Sequence, residues 1–400
     1  MTPGDGLRWL DALGPQKIRP GLARTRALLD ALGRPQSAFR VLLVGGTNGK
    51  GSTAAAAASI LGAAGLRVGL TTSPHLVRVN ERVRLCGADV TDRALDVSLA
   101  LVAAVAGEGA LRPTYFEALV VAACELFRRA RVEVGVVEVG IGGRLDATNV
   151  LEPEVSVVTN VDSDHLETLG PSLADVAREK AGILRRGRPA LTAARGEALE
   201  VLRAEAARTG ARLVEVPPSA AWDDVSPLPG AHQRGNLALA VAAARAFAPL
   251  DGGTIRRGIA SVRWPGRLQT VVRPGRRPLL VDGAHNPAGA AAVAAHLDAA
   301  GLSGRVDLVF GALGDKAVEE MFAALASRAR RVVLVAPGSP RAIPTESLAR
   351  RLGRPELPRA SSLTEALEAL QGPPGEPPIL VAGSLVLAGE ALALVERGEA

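Results

Sequence analysis

The sequence has few aromatic residues and few cysteines, and each scarcity disfavours a class of protein. Aromatic residues make up 2% of the 400 residues, and Tyr115 is the single tyrosine. Proteins that bind single-stranded nucleic acid stack bases on several aromatic side chains, so that function is disfavoured. Cys86 and Cys124 form neither a CxxC motif nor a disulfide framework. This pattern is typical of a reducing compartment, and we expect a cytoplasmic protein.

Long apolar runs are also missing, so we expect neither a membrane partner nor a secretion signal. The longest stretch without a charged residue, 51–66, is too short and too rich in small residues to span a bilayer. The first residues, MTPGDGLRWLDALG, lack the basic segment followed by an apolar segment that is typical of a signal peptide.

Lysine is rare in this chain, although the formal net charge is +6. Four of the 47 basic residues are lysines, at positions 17, 50, 180 and 316, and the rest are arginines scattered along the chain. Such scattered charge does not form the polybasic block of a nucleic-acid-binding surface. Where arginine is favoured nearly everywhere, a retained lysine indicates chemistry that arginine does not supply.

Strand-like and helix-like segments alternate along the chain, which predicts α/β architecture with a mostly parallel sheet. The 400 residues, 48% of them hydrophobic, are enough for two domains with buried cores. A stretch rich in Pro, Gly and Arg over 264–278 separates two alternating runs, and we place the domain boundary between residues 272 and 273. Strands are predicted at 40–44, 68–71, 132–139 and 155–160 in the first run, and at 279–282, 306–310, 331–336 and 379–382 in the second.

The strongest motif is GGTNGKGST over 45–53, between a predicted strand and a predicted helix. Glycines at such a junction let backbone N–H groups turn toward a phosphate, and the helix N-terminus adds a favourable dipole. Lys50 is placed to reach the β- and γ-phosphates of a nucleotide, and Ser52 to hold Mg²⁺ or a phosphate oxygen. The standard phosphate loop has Gly and Ser or Thr where this chain has Val44 and Gly51, which argues against an ordinary kinase or GTPase.

Polar residues follow two other predicted strands, at the ends where α/β folds place their ligands. Glu138 opens the block EVGIGGRLDATN, in which Leu145 rules out a GxGxxG dinucleotide fingerprint. Its carboxylate is a candidate ligand for a metal bound to ATP. Asp162, Asp164 and His165 follow the next strand and are candidates for a second metal or a base. A helix cap, an ion pair or a structural histidine is the alternative for these residues.

Two further groups contain candidate functional residues. Lys180 lies on the predicted helix 172–184, and a lysine beside a divalent metal is unfavourable unless its charge is removed. Carbamylation by CO₂ would make it an anion, and an ordinary ion pair is the alternative. Asp282 and His285 leave the predicted strand 279–282, and Arg267 lies in the junction. They are candidates to contact a nucleotide from the second domain, because arginine pairs well with phosphate.

Together these motifs resemble the folylpolyglutamate synthase/dihydrofolate synthase family of the Mur-ligase superfamily. The extra Gly51 is typical of the folate branch and not of the muramyl ligases, whereas Ser163 departs from the family pattern, which more usually has a bulky apolar residue there. The matching blocks, in family order, are GTNGKGS (46–52), TSPHLVRVNERV (72–83), TYFE (114–117), EVGIGGRLDATN (138–149), DH (164–165), REKAGI (178–183), PGR (265–267) and DGAHNP (282–287).

The resemblance implies an α/β fold with two domains. A P-loop-containing, mostly parallel sheet would form an N-terminal ATPase domain that binds ATP and folate over 1–272. A smaller, Rossmann-like α/β domain would form the C-terminal glutamate-ligase domain over 273–400.

The resemblance also implies ATP and two Mg²⁺ ions as cofactors, with N6-carboxylysine at Lys180. Catalytic roles would belong to Lys50, Lys180, His165 and Arg267. The residues implied to contact ATP are Asn48, Gly49, Lys50, Gly51, Ser52, Asn236, Arg267, Asp282 and His285. Those implied to bind Mg²⁺ are Ser52, Ser73, Glu138 and His165. Those implied to line a pterin or folate pocket are Thr114, Tyr115, Phe116, Glu117, Leu145, Asp146 and Ala147.

The implied reaction is amide-bond formation driven by ATP. A substrate carboxylate attacks the γ-phosphate, and the amine of L-glutamate then displaces phosphate from the acyl phosphate. The acceptor is dihydropteroate, a folate, or both, and His75 with the GGRLDATN block favours both. The alternatives are a folylpolyglutamate synthase alone, another Mur-type ligase, and a nucleotide-binding regulator without ligase activity. We expect a monomer and no nucleic-acid partner.

Overall fold

The computed structural model describes residues 4–14, 19–107, 109, 111–164, 166–314 and 316–398. These residues form two compact units. The first unit takes its described residues from Met1–Ser73, Val79–Pro227 and Arg234–Arg263, and the second from Pro74–Arg78, Leu228–Gln233 and Trp264–Ala400. The boundary predicted between residues 272 and 273 therefore lies inside the second unit, because the junction contributes a strand to the second sheet.

The first unit contains an eight-stranded sheet. Its strands are β1 (Arg40–Gly45), β2 (Val68–Thr71), β3 (Val83–Leu85), β4 (Ala88–Asp89), β5 (Val134–Glu138), β6 (Val155–Val158), β7 (Pro189–Thr192) and β8 (Arg212–Glu215). Its helices are α1 (Asp5–Leu13), α2 (Ala23–Ala31), α3 (Lys50–Ala63), α4 (Asp92–Ala106), α5 (Tyr115–Arg129), α6 (Leu166–Leu169), α7 (Leu173–Ala181), α8 (Gly196–Thr209), α9 (Gln233–Arg245) and α10 (Gly252–Ala260).

The strand order of this sheet is β4-β3-β2-β5-β1-β6-β7-β8. Strands β2 and β5 to β8 run parallel to β1, and β3 and β4 extend the sheet by antiparallel pairing. Because β2, β5, β1 and β6 are neighbours, their carboxyl ends lie side by side at one edge of the sheet. Ligands of open α/β sheets bind outside this edge.

Both faces of the first sheet are covered. Val41 and Leu43 of β1 belong to a core cluster that includes residues of α4 and α5, whereas Leu42 and Val44 are buried outside that cluster. Such burial on two faces explains why the parallel strands are continuous apolar runs. Phe127 of α5 packs closely on the sheet, because a Cβ on Gly69 or Gly135 would lie 2.5 or 3.2 Å from its ring atoms.

The second unit contains a five-stranded sheet in the order β12-β11-β13-β10-β9, and only the β9–β10 pair is antiparallel among its described strands. Its strands are β9 (Gln269–Val271), β10 (Leu279–Val281), β11 (Val306–Phe310), β12 (Ala329–Leu334) and β13 (Ile379–Ala382). Its helices are α11 (Pro287–Ala299), α12 (Val318–Ala326), α13 (Thr345–Arg351), α14 (Leu363–Ala369) and α15 (Leu385–Glu396).

Two core clusters cover the faces of the second sheet, with Leu280 in one cluster and Leu279 and Val281 in the other. The predicted α/β class, with a parallel-rich first sheet and a smaller second unit, is confirmed. Across the ranges that the structure describes, every helix is too short or too polar to cross a membrane.

Candidate functional site

The loop between β1 and α3 is shaped by glycines and tied to the loop that follows β6. Gly46 and Gly49 have φ of 135° and 78°, and a Cβ on Gly46 would lie 1.9 Å from Thr159 Oγ1. The Thr159 hydroxyl donates to the Asn48 carbonyl at 2.6 Å, and the Asn48 N–H donates to Asn160 Oδ1 at 2.8 Å. Because the N-cap of α3 is Gly49, no N-cap side chain covers the helix N-terminus. The loop therefore has the form of an anion-binding cradle.

Lys50 and Lys180 both reach this loop. Lys50 Nζ donates to the Thr47 carbonyl at 3.0 Å, and Lys180 Nζ donates to the Gly46 carbonyl at 2.8 Å. Lys180 is 4% exposed. Burial, together with the charge of Lys50, lowers the pKa of Lys180 to about 7, although nearby aspartates act in the opposite direction. A substantial fraction of this amine is therefore neutral, and so nucleophilic, near neutral pH.

Ser73 and Glu138 lie together at the ends of the neighbouring strands β2 and β5. Glu138 is 5% exposed, and its Oε2 accepts a hydrogen bond from the Ser73 N–H at 2.9 Å. Ser52, in the first turn of α3, is buried as well. Carboxylate and hydroxyl oxygens are ligands that suit Mg²⁺. His165, the fourth predicted ligand, lies outside the described residues.

Glu138 and Ser73 alone are too few to enclose a metal ion. In the described parts of the chain, no group of three or more His, Cys, Asp or Glu side chains is arranged to hold one. Mg²⁺ commonly binds through one or two carboxylates together with substrate phosphates and water. The donors beside the phosphate loop therefore fit a Mg²⁺ ion that arrives with a nucleotide.

Residues predicted to line the pterin pocket meet at Gly140, two residues after Glu138. A Cβ on Gly140 would lie 2.8 Å from Phe116 Cζ and 2.9 Å from Asp146 Oδ2. Asp146 is 9% exposed, and its Oδ1 accepts hydrogen bonds from the Thr148 hydroxyl at 2.6 Å and the Thr148 N–H at 3.0 Å. Burial raises the pKa of Asp146, and these hydrogen bonds act against that rise. Asp146 thus shapes the loop that follows β5.

Thr114 and Glu117 use their polar groups within the protein. They form a capping box at the N-terminus of α5, in which Glu117 Oε2 accepts the Thr114 N–H at 2.7 Å. Glu117 also forms an ion pair with Arg24 at 2.9 Å. These contacts fix the start of α5 and so the position of Phe116. The other residues predicted for the pocket are the buried Tyr115 and Ala147 and the exposed Leu145.

Helix α9 brings Asn236 against the phosphate loop, since a Cβ on Gly49 would lie 2.1 Å from Asn236 Oδ1. The structure therefore places this predicted ATP contact beside the motif. Thr47, Thr159 and Asn160 hold the loop in place, although the sequence motifs assign none of them an individual role. The signal that could have identified them is their position within two residues of the ends of β1 and β6.

In the second unit, Arg267, Asp282 and His285 gather around Gly283. A Cβ on Gly283 would lie 2.8 Å from Arg267 Nη1, and His285 Nδ1 lies 2.9 Å from the Gly283 carbonyl. Both oxygens of Asp282 accept backbone N–H groups at 2.8 Å. Burial raises the pKa of Asp282, and the nearby Arg267 acts to lower it. The three predicted residues are thus adjacent, and their nucleotide contacts remain predictions.

Comparison with known proteins gives matches along nearly the whole chain. Residues 44–225 match the Mur ligase middle domain, and residues 266–385 match the Mur ligase glutamate ligase domain. The chain is 37% identical over 401 residues to the folylpolyglutamate synthase of Lacticaseibacillus casei, covering 91% of this chain and 92% of that protein. It is 37% identical over 397 residues to the dihydrofolate synthase/folylpolyglutamate synthase of Escherichia coli, covering 94% and 92%.

Solved structures share the fold as well. E. coli FolC in complex with DHPP and ADP superposes with a TM-score of 0.88 at 32% identity, covering 100% of this chain and 99% of that one. A bifunctional folylpolyglutamate synthase/dihydrofolate synthase with Mn, AMPPNP and L-glutamate bound superposes with a TM-score of 0.87 at 29% identity, covering 99% and 98%. The chain therefore belongs to the dihydrofolate synthase/folylpolyglutamate synthase family of Mur ligases and is an ATP-dependent ligase.

Proposed function

We propose that this enzyme joins L-glutamate to both dihydropteroate and tetrahydrofolate. The observation that carries the proposal is the meeting of Phe116 and Asp146 at Gly140, two residues after Glu138. The predicted pterin-lining residues thus lie beside a predicted metal ligand, as a reaction between an acceptor carboxylate and ATP requires. The ligands named for the relatives, which are DHPP with ADP and L-glutamate with AMPPNP and Mn, support the same substrates here.

We propose that the phosphates of ATP bind at the loop 46–52. Gly46 and Gly49 allow the positive-φ backbone of the loop, and Lys50 supplies positive charge. Mg²⁺ would be held by Ser52, Ser73 and Glu138 together with His165, which are the predicted ligands. When bound, Mg²⁺ neutralises negative charge on the transferred phosphoryl group. The unit that contains this loop would be the ATP- and folate-binding domain, and the second unit the glutamate-ligase domain.

The proposed reaction consists of two transfers. An oxygen of the acceptor carboxylate attacks the γ-phosphorus, the bond to ADP breaks, and an acyl phosphate forms. The amine nitrogen of L-glutamate then attacks the acyl carbon, loses a proton and displaces inorganic phosphate. Lys50 and Arg267 would stabilise the charge on the phosphoryl group. Asp282, which accepts the N–H of the residue after Arg267 at 2.8 Å, would hold Arg267 in position.

We also propose that Lys180 works as a carbamate. Its neutral amine would attack CO₂, form an N–C bond and release one proton. The lowered pKa of about 7 and the burial of this amine support the proposal, because the neutral form is available near neutral pH. The carbamate would replace a buried positive charge beside Lys50 with a negative one.

The enzyme would work in the cytoplasm as a monomer. The thiols of Cys86 and Cys124 are both free, which suits a reducing compartment. Gel filtration with light scattering tests the monomer, and a dimer mass would contradict it.

The test of the proposed function is phosphate release from ATP in the presence of L-glutamate, with dihydropteroate or tetrahydrofolate added separately. The mass of each product confirms which acceptor gained a glutamate. Product from both acceptors supports the proposal. Product from tetrahydrofolate alone would show that the enzyme is a folylpolyglutamate synthase without dihydrofolate synthase activity. Product from neither would show that the acceptor assignment is wrong while the nucleotide site stands.

A further inference from the structure

Arg82 is anchored beside the predicted metal ligands. The short 3₁₀ helix Val79–Arg82 returns the chain to the end of β2, where the Arg82 carbonyl accepts the Thr72 N–H at 3.1 Å. The following residue, Ser73, donates its own N–H to Glu138 at 2.9 Å. The backbone of Arg82 is therefore fixed one residue away from the Ser73–Glu138 pair.

The Arg82 side chain has an aromatic ring on one side and a carboxylate within electrostatic reach. Its guanidinium carbon lies 5.3 Å from the centroid of the Tyr115 ring, and Tyr115 precedes Phe116, which reaches Gly140. Burial lowers the pKa of Arg82, and the charge of Glu138 is among the influences that raise it. The partly buried guanidinium therefore lies over the ring of Tyr115, one of the predicted pterin-lining residues, and interacts electrostatically with Glu138, a predicted metal ligand.

The chemistry of the proposed reaction calls for a cation in this position. The acceptor carboxylate and the γ-phosphate are both anions, and they must approach to bonding distance against their mutual repulsion. A guanidinium presents a planar fork that matches a carboxylate, and its charge offsets that repulsion.

We propose that Arg82 binds the reacting carboxylate of the acceptor and aligns it for attack on the γ-phosphate. This inference rests on the proposed function and assigns a role to a residue that the motif comparison leaves without one. Contact with the Tyr115 ring orients the guanidinium plane, so a lysine ammonium would replace only its charge.

The test is the dissociation constant of dihydropteroate and of its carboxamide, measured by calorimetry in the presence of AMPPNP and Mg²⁺. The carboxamide keeps the shape of the acceptor but has no charge. Arg82→Gln is expected to weaken binding of dihydropteroate by about 10- to 100-fold and to leave the carboxamide unchanged. Arg82→Lys should give an intermediate loss. The matched control is Arg84→Gln, two residues along, whose side chain pairs with Asp89 at 2.7 Å.

Two results would overturn the inference. Equal weakening of both ligands would show that Arg82 only supports Tyr115, and unchanged binding of dihydropteroate would show that another group binds the carboxylate. Failure of the proposed function is a separate result, because the wild-type enzyme would then bind neither dihydropteroate nor tetrahydrofolate. Should Arg82→Gln fail to fold, as judged by circular dichroism, the same ligand comparison is made with Arg82→Lys.

Discussion

Lys50 and Lys180 donate hydrogen bonds to the carbonyl oxygens of two consecutive loop residues, Thr47 and Gly46, at 3.0 and 2.8 Å. They are two of the four lysines in a chain that has 47 basic residues. The charge of Lys50 contributes to the lowered pKa of Lys180. The charge of Lys50 therefore favours the neutral amine of Lys180, which is the form that reacts with CO₂.

Replacing Lys50 with alanine is expected to abolish turnover. The loop would lose the cation that compensates the developing charge on the transferred phosphoryl group, and we expect kcat to fall by about 10³-fold or more. Steady-state phosphate release with L-glutamate and tetrahydrofolate measures the effect. Arg93→Ala, on the exposed surface of α4, is the control and should keep full activity. Full activity of Lys50→Ala would show that the nucleotide site is wrongly assigned.

The Lys180 amine is expected to take up CO₂ to an extent that rises as the pH passes through about 7. Only the neutral amine reacts, and a lowered pKa means that the neutral form appears well below the ordinary value of 10.5. Carbon-13 NMR in labelled bicarbonate measures the carbamate signal. Lys180→Ala should lose this signal. In Lys50→Ala the carbamate signal should appear at higher pH, because one cause of the lowered pKa of Lys180 is removed. A signal that persists in Lys180→Ala would contradict the prediction.

Most of the buried parallel strands could be predicted from the sequence, because they are short apolar runs. The exception is β7, which is also buried and parallel but has the weaker pattern PALT. The predicted strands 40–44 and 379–382 agree closely with β1 and β13. Strands β3, β4, β8 and β9 could not be predicted in this way. The β8 residues are mostly exposed, and β4 and β9 have only two and three residues, so they have little hydrophobic pattern.

The sequence predicts those parts of the candidate site that lie at strand ends. It does not predict those parts in which side chains from separate segments pack closely together. Glu138 ends β5, and Ser73, which the family resemblance implied, lies two residues after β2; parallel pairing of the two strands brings them together. The contact of Phe116 with Asp146 at Gly140 depends on the missing Cβ of a glycine and on the placement of α5. A linear sequence pattern specifies neither of these distances.

Gly46→Ala and Gly62→Ala are expected to have opposite effects on stability. At Gly46, φ is 135° and a Cβ would lie 1.9 Å from Thr159 Oγ1, so alanine should cost at least about 1–3 kcal/mol and weaken ADP binding. Gly62 lies within α3, where a Cβ would meet no described atom within 4 Å apart from its chain neighbours and the backbone of the helix itself. Alanine there should add about 0.5–1 kcal/mol. Urea denaturation and ADP titration measure both variants, and equal effects would contradict the assigned loop geometry.

Asp307→Asn is expected to destabilise the second unit strongly. Asp307 and Arg277 are both fully buried and paired, and Arg330 and Arg331 bind the same carboxylate at 2.9 and 2.6 Å. Burial acts to raise the pKa of Asp307, but hydrogen bonds from these arginines hold that pKa well below its usual range. With asparagine at position 307, the carboxylate left near Arg277 would be that of Glu376, at 3.4 Å. We expect a loss of about 3 kcal/mol, because a buried charge would lose its main partner.

The pH dependence of stability distinguishes the charge of Asp307 from its shape in the cluster that it forms with Arg277, Arg330 and Arg331. A carboxylate whose pKa is lowered by folding contributes stability that is fully present above its pKa in the unfolded chain, near 3.8. This stability is lost as the pH falls below that value toward the pKa in the folded protein. Urea denaturation should therefore show a large gap between wild type and Asp307→Asn at neutral pH, and a smaller gap below pH 3.8. The control is Asp298→Asn, whose pair with Arg328 lies at the surface at 3.0 Å and should cost less than about 1 kcal/mol. A gap that does not change with pH would show that packing, and not the charge of Asp307, stabilises the cluster.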